Sequence, residues 1–383
     1  MPLIKYGTVP SHRHNIYKQL ELIKDLAVLD FSGEGHALYN EGHNSLLHIM
    51  RHEDSNLFSM PLTDAEIATY NTSRLFSKIE EIVSRGYRHL FLMPSAIAKL
   101  INFDYQNLSS QIENKYDIRV YHSPTTDCLN IFEQFLNNLD AKGKTNEKKG
   151  FVILASIFSY ESKRDARYVR DFIEKNYNEE CVFTNVERFE LKDLLKIYKS
   201  KLIVTLDEKF DSFISQILEE EKIKTISANY LDLKSEEKLI STLNNIFNKN
   251  LDVRYRDEYC IATAQFKNVL NFNKKKIVVF LEENLDDRLL RFFRSLDIEV
   301  EVYCPYKNQK FPMLTIDEFI DKYRETGNSV IISYDRVVKY LKRGLSYESL
   351  GLDYYLLTPR PSDRVMLNGA FNIMEDIINE VWL

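Results

Sequence analysis

The sequence predicts an α/β protein with three Rossmann-like lobes, whose mostly parallel sheets surround a central cleft. From residue 150 onward, short apolar runs rich in β-branched residues alternate with amphipathic stretches of helical period. This alternation is typical of parallel strands that are covered by crossover helices on both faces. The length points the same way, because 383 residues are too many for one compact core and favour two or three lobes.

Each predicted lobe consists of strands separated by helices. The first lobe has the loosest pattern, with strands at 26–31, 57–61, 89–93 and 118–122. The second lobe has strands at 150–157, 181–186, 201–206 and 223–228, and helices at 163–175, 191–198, 213–221 and 236–247. The third lobe has strands at 275–281, 300–304, 329–334 and 354–357, and helices at 255–270, 286–296, 316–323 and 367–381.

The segment 141–149 is the clearest boundary between lobes, because it is polar and charged and has no apolar anchor. We therefore predict a first lobe at 1–148, which carries a loop rich in histidine and glycine. A second lobe follows at 149–250. A linking helix and the third lobe occupy 251–383.

Composition and charge argue against several classes of protein. No apolar run is long enough to cross a bilayer as a helix, so no membrane span is expected. The net charge of −6 argues against nucleic acid as a partner, because that binding depends on clustered lysine and arginine. The four cysteines form no C-x-x-C pair and the N-terminus has no apolar signal segment, so a cytoplasmic protein is expected.

A series of short motifs follows one another in an order known from one family. The Pro-Leu-Thr-Asp segment 61–64 precedes a predicted helix at 75–83, the strand His89–Leu92 and a small-residue turn at 95–96. Further along come Leu-Ile-Asn-Phe-Asp at 100–104, a strand at 118–121, His-Ser-Pro-Thr-Thr at 122–126 and a helical segment at 369–377. In this order the motifs resemble the nitrogenase component 1 family. That family includes nitrogenase subunits, their cofactor-assembly paralogues and dark-type protochlorophyllide reductase subunits.

The sequence departs from this family where iron–sulfur clusters are held. The family's cluster ligands are cysteines in the turns after the strands of the first lobe, because soft thiolates hold such clusters. The corresponding positions lie near Leu29, at Ser45 and at Ala96, and no cysteine precedes Cys128. We therefore do not expect this chain alone to hold a conventional iron–sulfur cluster.

The segment 33–52 stands where the family has a cluster-binding loop. It reads GEGHALYNEGHNSLLHIMRH and contains Glu-Gly-His twice. Imidazole and carboxylate groups suit iron or zinc, and glycine lets the backbone approach a ligand closely. The candidate ligand-binding residues of the loop are Glu34, His36, Glu41, His43 and Ser45. Among them, His36 and His43 are the candidate ligands of a non-haem metal.

The same segment is compatible with two other roles. It can be a glycine-rich turn from strand to helix, in which His43 and Asn44 cap the helix, while His48 and His52 share one helix face. It can also form a polar ligand pocket that holds no metal. The sequence leaves these three alternatives open.

A second candidate segment follows the last predicted strand of the first lobe. It reads Ser-Pro-Thr-Thr-Asp at 123–127. The hydroxyl groups of Thr125 and Thr126 can bind a ligand at the start of the next helix, or they can form its N-cap. Both alternatives stay open, and Thr125 and Thr126 join the candidate ligand-binding residues.

Two functions are compatible with these observations. The resemblance implies a component 1-like subunit that pairs as a homodimer, or as a heterodimer with a related subunit. Without a cluster, it would be a binding, scaffold or redox subunit in a maturation system whose substrate is a peptide or a small molecule. The alternative is a stand-alone oxidoreductase that depends on a metal or cofactor held by the segment 34–52. Catalytic residues and the identity of any cofactor stay unassigned.

Overall fold

The computed structural model describes residues 20–30, 56–60, 63, 66, 73–93, 104–123, 128–139, 148–155, 160–206, 214, 223–280, 288–305, 311–325, 327–333, 335–346 and 366–382. These residues fall into two compact units. The N-terminal unit takes its residues from 10–148 and 185–199. The C-terminal unit takes its residues from 149–184 and 200–383.

The N-terminal unit contains a parallel sheet in the order β2-β1-β3-β4. Its strands are β1 (Leu26–Asp30), β2 (Leu57–Ser59), β3 (His89–Leu92) and β4 (Arg119–His122). Its helices are α1 (Ser73–Ser84), α2 (Tyr105–Tyr116) and α3 (Cys128–Asn138). Every residue of β1 is buried, as expected for a central strand of a parallel sheet that is covered on both faces.

The helices of this unit bury the faces that their sequences predict. On α1 the buried residues are Leu75, Ile79 and Ile82, which lie four and three residues apart and so share one helix face. They pack with Leu108 and Ile112 of α2 against the sheet. The side chain of Asp104 accepts a hydrogen bond from the backbone N–H of Asn107 at 2.9 Å and caps the start of α2.

A distant segment of the chain completes the N-terminal unit. A 3-10 helix spans Leu191–Lys199, and the residue Phe189 just before it forms a parallel bridge with Ile23. The N–H of Lys24 donates to the carbonyl of Phe189 at 2.8 Å, and the N–H of Leu191 donates to Asp25 Oδ1 at 2.9 Å. The connection between the second and third strands of the second lobe therefore belongs to the unit of the first lobe.

The C-terminal unit contains two further parallel sheets, in the orders β6-β5-β7-β8 and β10-β9-β11-β12. The second sheet of the chain consists of β5 (Phe151–Leu154), β6 (Cys181–Thr184), β7 (Leu202–Thr205) and β8 (Lys224–Ser227). The third sheet consists of β9 (Lys276–Phe280), β10 (Val300–Tyr303), β11 (Ser329–Ser333) and β12 (Leu345–Ser346).

Seven helices of the described residues belong to the C-terminal unit. They are α4 (Tyr160–Tyr177), α5 (Leu233–Phe247), α6 (Arg256–Phe272), α7 (Arg288–Ser295), α8 (Ile316–Tyr323), α9 (Asp335–Leu341) and α10 (Met366–Trp382). One face of the third sheet is covered by a large apolar cluster, in which Phe266 of α6, Phe293 of α7 and Ile377 of α10 are fully buried. No helix among the described residues has the length and apolar character that a membrane crossing requires.

The three parallel sheets confirm the predicted α/β class with Rossmann-like lobes. Two details differ from the sequence pattern. The fourth strand of the third sheet is β12, and the predicted strand at 354–357 lies outside the described residues. The predicted helix at 191–198 is a 3-10 helix. The lobe boundaries near residues 148 and 250 and the central cleft stay predictions.

A buried carboxyl group connects two helices of the C-terminal unit. Glu236 lies in the first turn of α5 and is only 6% exposed. It accepts a hydrogen bond from Tyr230 Oη at 2.8 Å and another from the backbone N–H of Leu367 at the start of α10. Burial raises the pKa of the Glu236 carboxyl above its ordinary value of 4.5, although both hydrogen bonds act in the opposite direction.

This raised pKa predicts the pH dependence of stability. In the folded state Glu236 keeps its proton to a higher pH than in the unfolded state, so its contribution is complete below pH 4.5 and is lost as the pH rises through the folded-state pKa. The variant Glu236→Gln retains an acceptor oxygen and carries no charge. We expect its unfolding free energy, relative to the wild type, to increase with pH above 4.5 in urea titrations.

The control is Glu237→Gln, which removes the neighbouring carboxylate of α5. This carboxylate is partly exposed and forms an ion pair with Arg256 Nη2 at 2.8 Å. Parallel stability curves for the wild type and Glu236→Gln would contradict the assignment.

Candidate functional site

The order of the strands defines where a ligand can bind each sheet. In all three sheets the first strand lies between the second and the third. The connections that follow the first and third strands therefore leave the sheet in opposite directions, which opens a crevice at the carboxyl ends of these strands. In the N-terminal unit this crevice lies between the ends of β1 and β3.

The strands of the N-terminal sheet end at nearly the same level. Asp30 is paired with Ser59, and Leu92 is paired with both Leu29 and His122. The last residues of β1, β2, β3 and β4 therefore form one continuous carboxyl edge. We call these ends and the residue after each strand the carboxyl edge of the N-terminal sheet.

Four polar residues occupy this carboxyl edge. Asp30 and Ser123 are each only 1% exposed. The Oγ of Ser59 is buried and has no hydrogen-bond partner among the described residues. His122 is half-buried, and its ring stacks on that of Tyr105 with centroids 5.8 Å apart. The edge therefore presents a carboxyl group, two hydroxyl groups and one imidazole.

The imidazole of His122 is suited to proton transfer or hydrogen bonding. Burial lowers its pKa below the ordinary value of 6.5, and the charge of Glu113 only partly offsets this effect. The neutral form is therefore favoured at neutral pH. A neutral imidazole offers one N–H donor and one nitrogen acceptor.

These four residues do not converge on one point. Asp30 and His122 end strands that are separated by β3, and two strand spacings correspond to about 10 Å. In keeping with this separation, no three His, Cys, Asp or Glu residues within the described part of the chain are placed to hold a metal ion. The described residues therefore provide hydrogen-bonding groups along the edge and no metal-binding group of three.

The candidate residues from the sequence belong to connections that the structure does not describe. Glu34, His36, Glu41, His43 and Ser45, and also Thr125 and Thr126, all lie outside the described residues. The described residues show only where these two connections start and end. Residues 31–55 leave β1 at Asp30 and return to the sheet at Asn56, and residues 124–127 lead from Ser123 to α3. Their roles as ligands stay predictions.

Asn56, the residue just before β2, is anchored by hydrogen bonds of its side chain. The residue is 4% exposed, and its side-chain amide donates to the carbonyls of Leu20, Ile23 and Leu26 at 2.9, 3.0 and 2.8 Å. Its own carbonyl accepts from the N–H of Val28 at 2.8 Å. One side chain therefore fixes the turn that precedes β1 and the entry to β2.

The sequence pattern alone does not mark Asp30, Ser59 or His122 as residues of this edge. Asp30 could have been noticed in the sequence, because it ends an otherwise apolar strand. A buried carboxylate is costly unless it has a hydrogen-bonding or charged partner. No comparable signal marks Ser59, since isolated serines at strand ends are common. His122 stood in the family motif, but its stacking on Tyr105 requires the fold.

The three cysteines whose side chains the structure describes do not share one centre. In the described part of the chain, Cys181, Cys260 and Cys304 form no disulfide. They lie respectively in β6, on the exposed side of α6 and directly after β10, where Cys304 Sγ contacts the carbonyls of Phe311 and Pro312 at 3.7 Å. All three belong to the C-terminal unit and stand on separate elements. A thiolate cluster requires its ligands around one centre.

Comparisons with known proteins identify the family. The model of the nitrogenase component 1 type oxidoreductases matches residues 39–338. A solved structure described as nitrogenase Cp1 at pH 6.5 is similar with a TM-score of 0.71 and 13% identity, over 100% of this chain and 93% of that chain. A second, nitrogenase Cp1 at pH 5, has a TM-score of 0.62 and 12% identity, over 99% and 91% of the two chains.

At these identities the structural similarity supports the fold alone. No curated protein sequence matches the chain significantly. The family match covers most of the chain and agrees with the order of motifs in the first lobe. The chain belongs to the nitrogenase component 1 type oxidoreductase family.

Proposed function

We propose that the chain is a divergent component 1-type subunit that holds no conventional iron–sulfur cluster with its own cysteines. It acts as a binding, scaffold or redox subunit in a maturation system for a peptide or a cofactor. The observation that carries this proposal is the residue near the family's first cluster cysteine. That residue is Leu29, which lies inside β1, is 0% exposed and packs in the apolar core.

The burial of Leu29 argues against a ligand at this place. A leucine offers no donor to a metal, and its neighbours in the core are apolar side chains such as Ile79 and Leu90. A cluster ligand at this position would require a cysteine in place of leucine and also a less apolar environment around it. The chain instead offers oxygen and nitrogen groups at the carboxyl edge, through Asp30, Ser59 and His122.

The segment between Asp30 and Asn56 is the proposed ligand-binding loop. It starts at the switch point of the sheet, where folds of this class bind their ligands. We propose Glu34, His36, Glu41, His43 and Ser45 as its binding residues. Thr125 and Thr126, which follow β4 in the sequence, are proposed to complete the set.

A homodimer, or a heterodimer with a related subunit, is the proposed assembly. The substrate is a peptide or a small molecule, and neither nucleic acid nor a membrane is a proposed partner. The second candidate function is a stand-alone oxidoreductase whose metal or cofactor is held by the segment 34–52. The repeated Glu-Gly-His triplet at 34–36 and 41–43 favours it, because imidazole and carboxylate together suit iron or zinc.

The first test is purification without oxygen, from cells that also express the products of the neighbouring genes. We expect sedimentation at the mass of a dimer, no stoichiometric iron or sulfide, and no visible charge-transfer absorption. Stoichiometric iron and sulfide in this chain alone would contradict the proposal. A monomer in the presence of all co-expressed subunits would contradict the assembly.

The same preparation separates the two candidate functions. If the stand-alone oxidoreductase is correct, the protein will bind iron or zinc, and the double variant His36→Ala/His43→Ala will lose that metal while it stays folded. The matched control is His12→Ala/His14→Ala, which removes two histidines upstream of the loop. Equal metal content in both double variants would remove the loop from the site.

A further inference from the structure

A cavity of about 550 Å³ lies beside β8 in the C-terminal unit. It is bounded by all four residues of β8, by one face of α5 and by α7. The residues on α5 include Ser235, Lys238 and Thr242, which lie three and four positions apart and therefore share one helix face. The side of α7 contributes Arg291 and Phe292.

The wall formed by β8 is the edge of the sheet. Side chains of consecutive strand residues point to opposite faces, so the surface that all four residues share is the backbone edge. In the described residues β8 is the outermost strand of its sheet. The cavity therefore follows a strand edge that no described strand covers.

The direction of the peptide groups can be deduced from one hydrogen bond. The N–H of Ala228 donates to the carbonyl of Thr205 in β7 at 2.8 Å. Alternate residues of a strand direct their peptide groups to opposite sides, so those of Thr225 and Ser227 point away from β7. Each of these two residues presents both an N–H donor and a C=O acceptor towards the cavity.

The charged side chains around the cavity are mostly positive. Among the described lining residues they are Lys224, Lys238 and Arg291, against the carboxylate of Asp232. That carboxylate is already engaged at the start of α5, because it accepts from Ser235 N at 2.9 Å and from Ser235 Oγ at 2.7 Å.

The two lysines are available to an acidic partner. Neither Lys224 nor Lys238 forms an ion pair with any residue in the described part of the chain. Arg291 is oriented beside them by a hydrogen bond of 3.1 Å from its Nη2 to the carbonyl of Asn229. In a chain whose net charge is −6, this is a local excess of positive charge, which attracts acidic groups.

We propose that the β8 edge binds an extended acidic peptide segment of a partner protein as a fifth strand of this sheet. Addition of a strand uses main-chain hydrogen bonds for affinity and side-chain contacts for specificity. The peptide groups of Thr225 and Ser227 supply the hydrogen bonds. Lys224, Lys238 and Arg291 select acidic side chains.

A peptide satisfies this edge better than a small anion does. The outward carbonyls of Thr225 and Ser227 need donors, which a peptide backbone provides at regular spacing and a carboxylate does not. A small anion would bring its negative charge towards these carbonyl oxygens. This binding surface belongs to the C-terminal unit, whereas the proposed function rests on the N-terminal unit, so either can fail without the other.

The test uses the full-length protein and a fluorescent hexapeptide in which glutamate and valine alternate, with anisotropy as the measurement. We expect saturable binding that the double variant Lys224→Glu/Lys238→Glu weakens by about tenfold or more, because it replaces attraction with repulsion. The control Lys234→Glu changes an exposed lysine of α5 that does not line the cavity, and we expect about the same affinity as for the wild type.

Two further measurements separate strand addition from simple charge attraction. The variant Thr225→Pro removes one outward N–H and spares the ladder with β7, and proline is tolerated at such edge positions. It should abolish binding, whereas Thr225→Ala should not. If Thr225→Pro fails to fold, a hexapeptide with an N-methyl group on every residue makes the same test from the ligand side.

Loss of binding by the methylated peptide supports strand addition. The proposal would be overturned if the methylated peptide bound undiminished, or if a lysine–valine hexapeptide bound equally well. It would also be overturned if pyrophosphate competed fully and Thr225→Pro had no effect on binding.

Discussion

Replacement of Asn56 by alanine is expected to lower the unfolding free energy by about 3 kcal/mol, because it removes a buried amide that donates to three backbone carbonyls. The amide of Asn56 donates to the carbonyls of Leu20, Ile23 and Leu26 within 3.0 Å. The residue is 4% exposed, so water cannot replace these bonds without opening the core. Urea titration followed by circular dichroism measures the loss.

Two variants make this result interpretable. Asn56→Asp retains the shape and removes the donors, and it directs a carboxylate towards three carbonyl oxygens, so we expect a loss at least as large at neutral pH. Asn138→Ala removes an exposed asparagine whose amide bonds only the carbonyl of Gln134 in its own helix, and we expect a change within about 0.5 kcal/mol. Similar small effects for Asn56→Ala and Asn138→Ala would refute the anchoring role.

The second large effect is expected at Gly150, where alanine should destabilise the protein by about 3 kcal/mol through backbone strain and steric overlap. Gly150 precedes β5 and has a φ of +55°, which L-residues with a Cβ rarely adopt. A Cβ at this position would overlap the carbonyl oxygen of Glu180 and approach Val182 Cγ1 to 2.9 Å.

This overlap cannot be relieved without loss of hydrogen bonds. The same Glu180 carbonyl accepts from the N–H of Phe151 at 3.0 Å, and the Gly150 carbonyl accepts from the N–H of Lys201 at 3.0 Å. Movement of the glycine therefore disturbs the entries of both β5 and β7. Thermal and urea unfolding of Gly150→Ala measure the effect.

Two other glycines separate the contributions. Gly86 has a φ of +96° and open space where a Cβ would lie, so Gly86→Ala should cost about 1 kcal/mol from the backbone conformation alone. Gly327 has no positive φ, and a Cβ added to it would have no atom within 4 Å. Gly327→Ala should therefore change stability by less than about 0.5 kcal/mol. If all three alanine variants were equally stable, the steric argument at Gly150 would be wrong.

Local sequence patterns predicted most of the strands and helices. Strands such as Lys276–Phe280 and Ser329–Ser333 are continuous apolar runs, because both faces of a parallel sheet are buried. The helix Ile316–Tyr323 begins at a Thr315/Glu318 capping box, a signal that is contained in four residues of sequence. In these places the local pattern and the tertiary environment demand the same residue types.

Other elements depended on partners that are distant in the chain. The short strand Leu345–Ser346 has too few residues to show a period, and it is a strand only because it pairs with Ile332 and Ser333. The segment that ends in the 3-10 helix Leu191–Lys199 joins the N-terminal unit through Ile23 and Asp25. No periodicity within the segment could reveal those contacts.

The candidate site shows the same division. By itself, the sequence determined the α/β class, the family resemblance and the absence of cysteine before Cys128, because each of these is written in residue types and their order. Only the tertiary structure decided that Leu29 is buried in the core, and that Asp30, Ser59 and His122 end on one edge. The register of parallel strands sets that alignment, and register arises from hydrogen bonds between segments far apart in sequence.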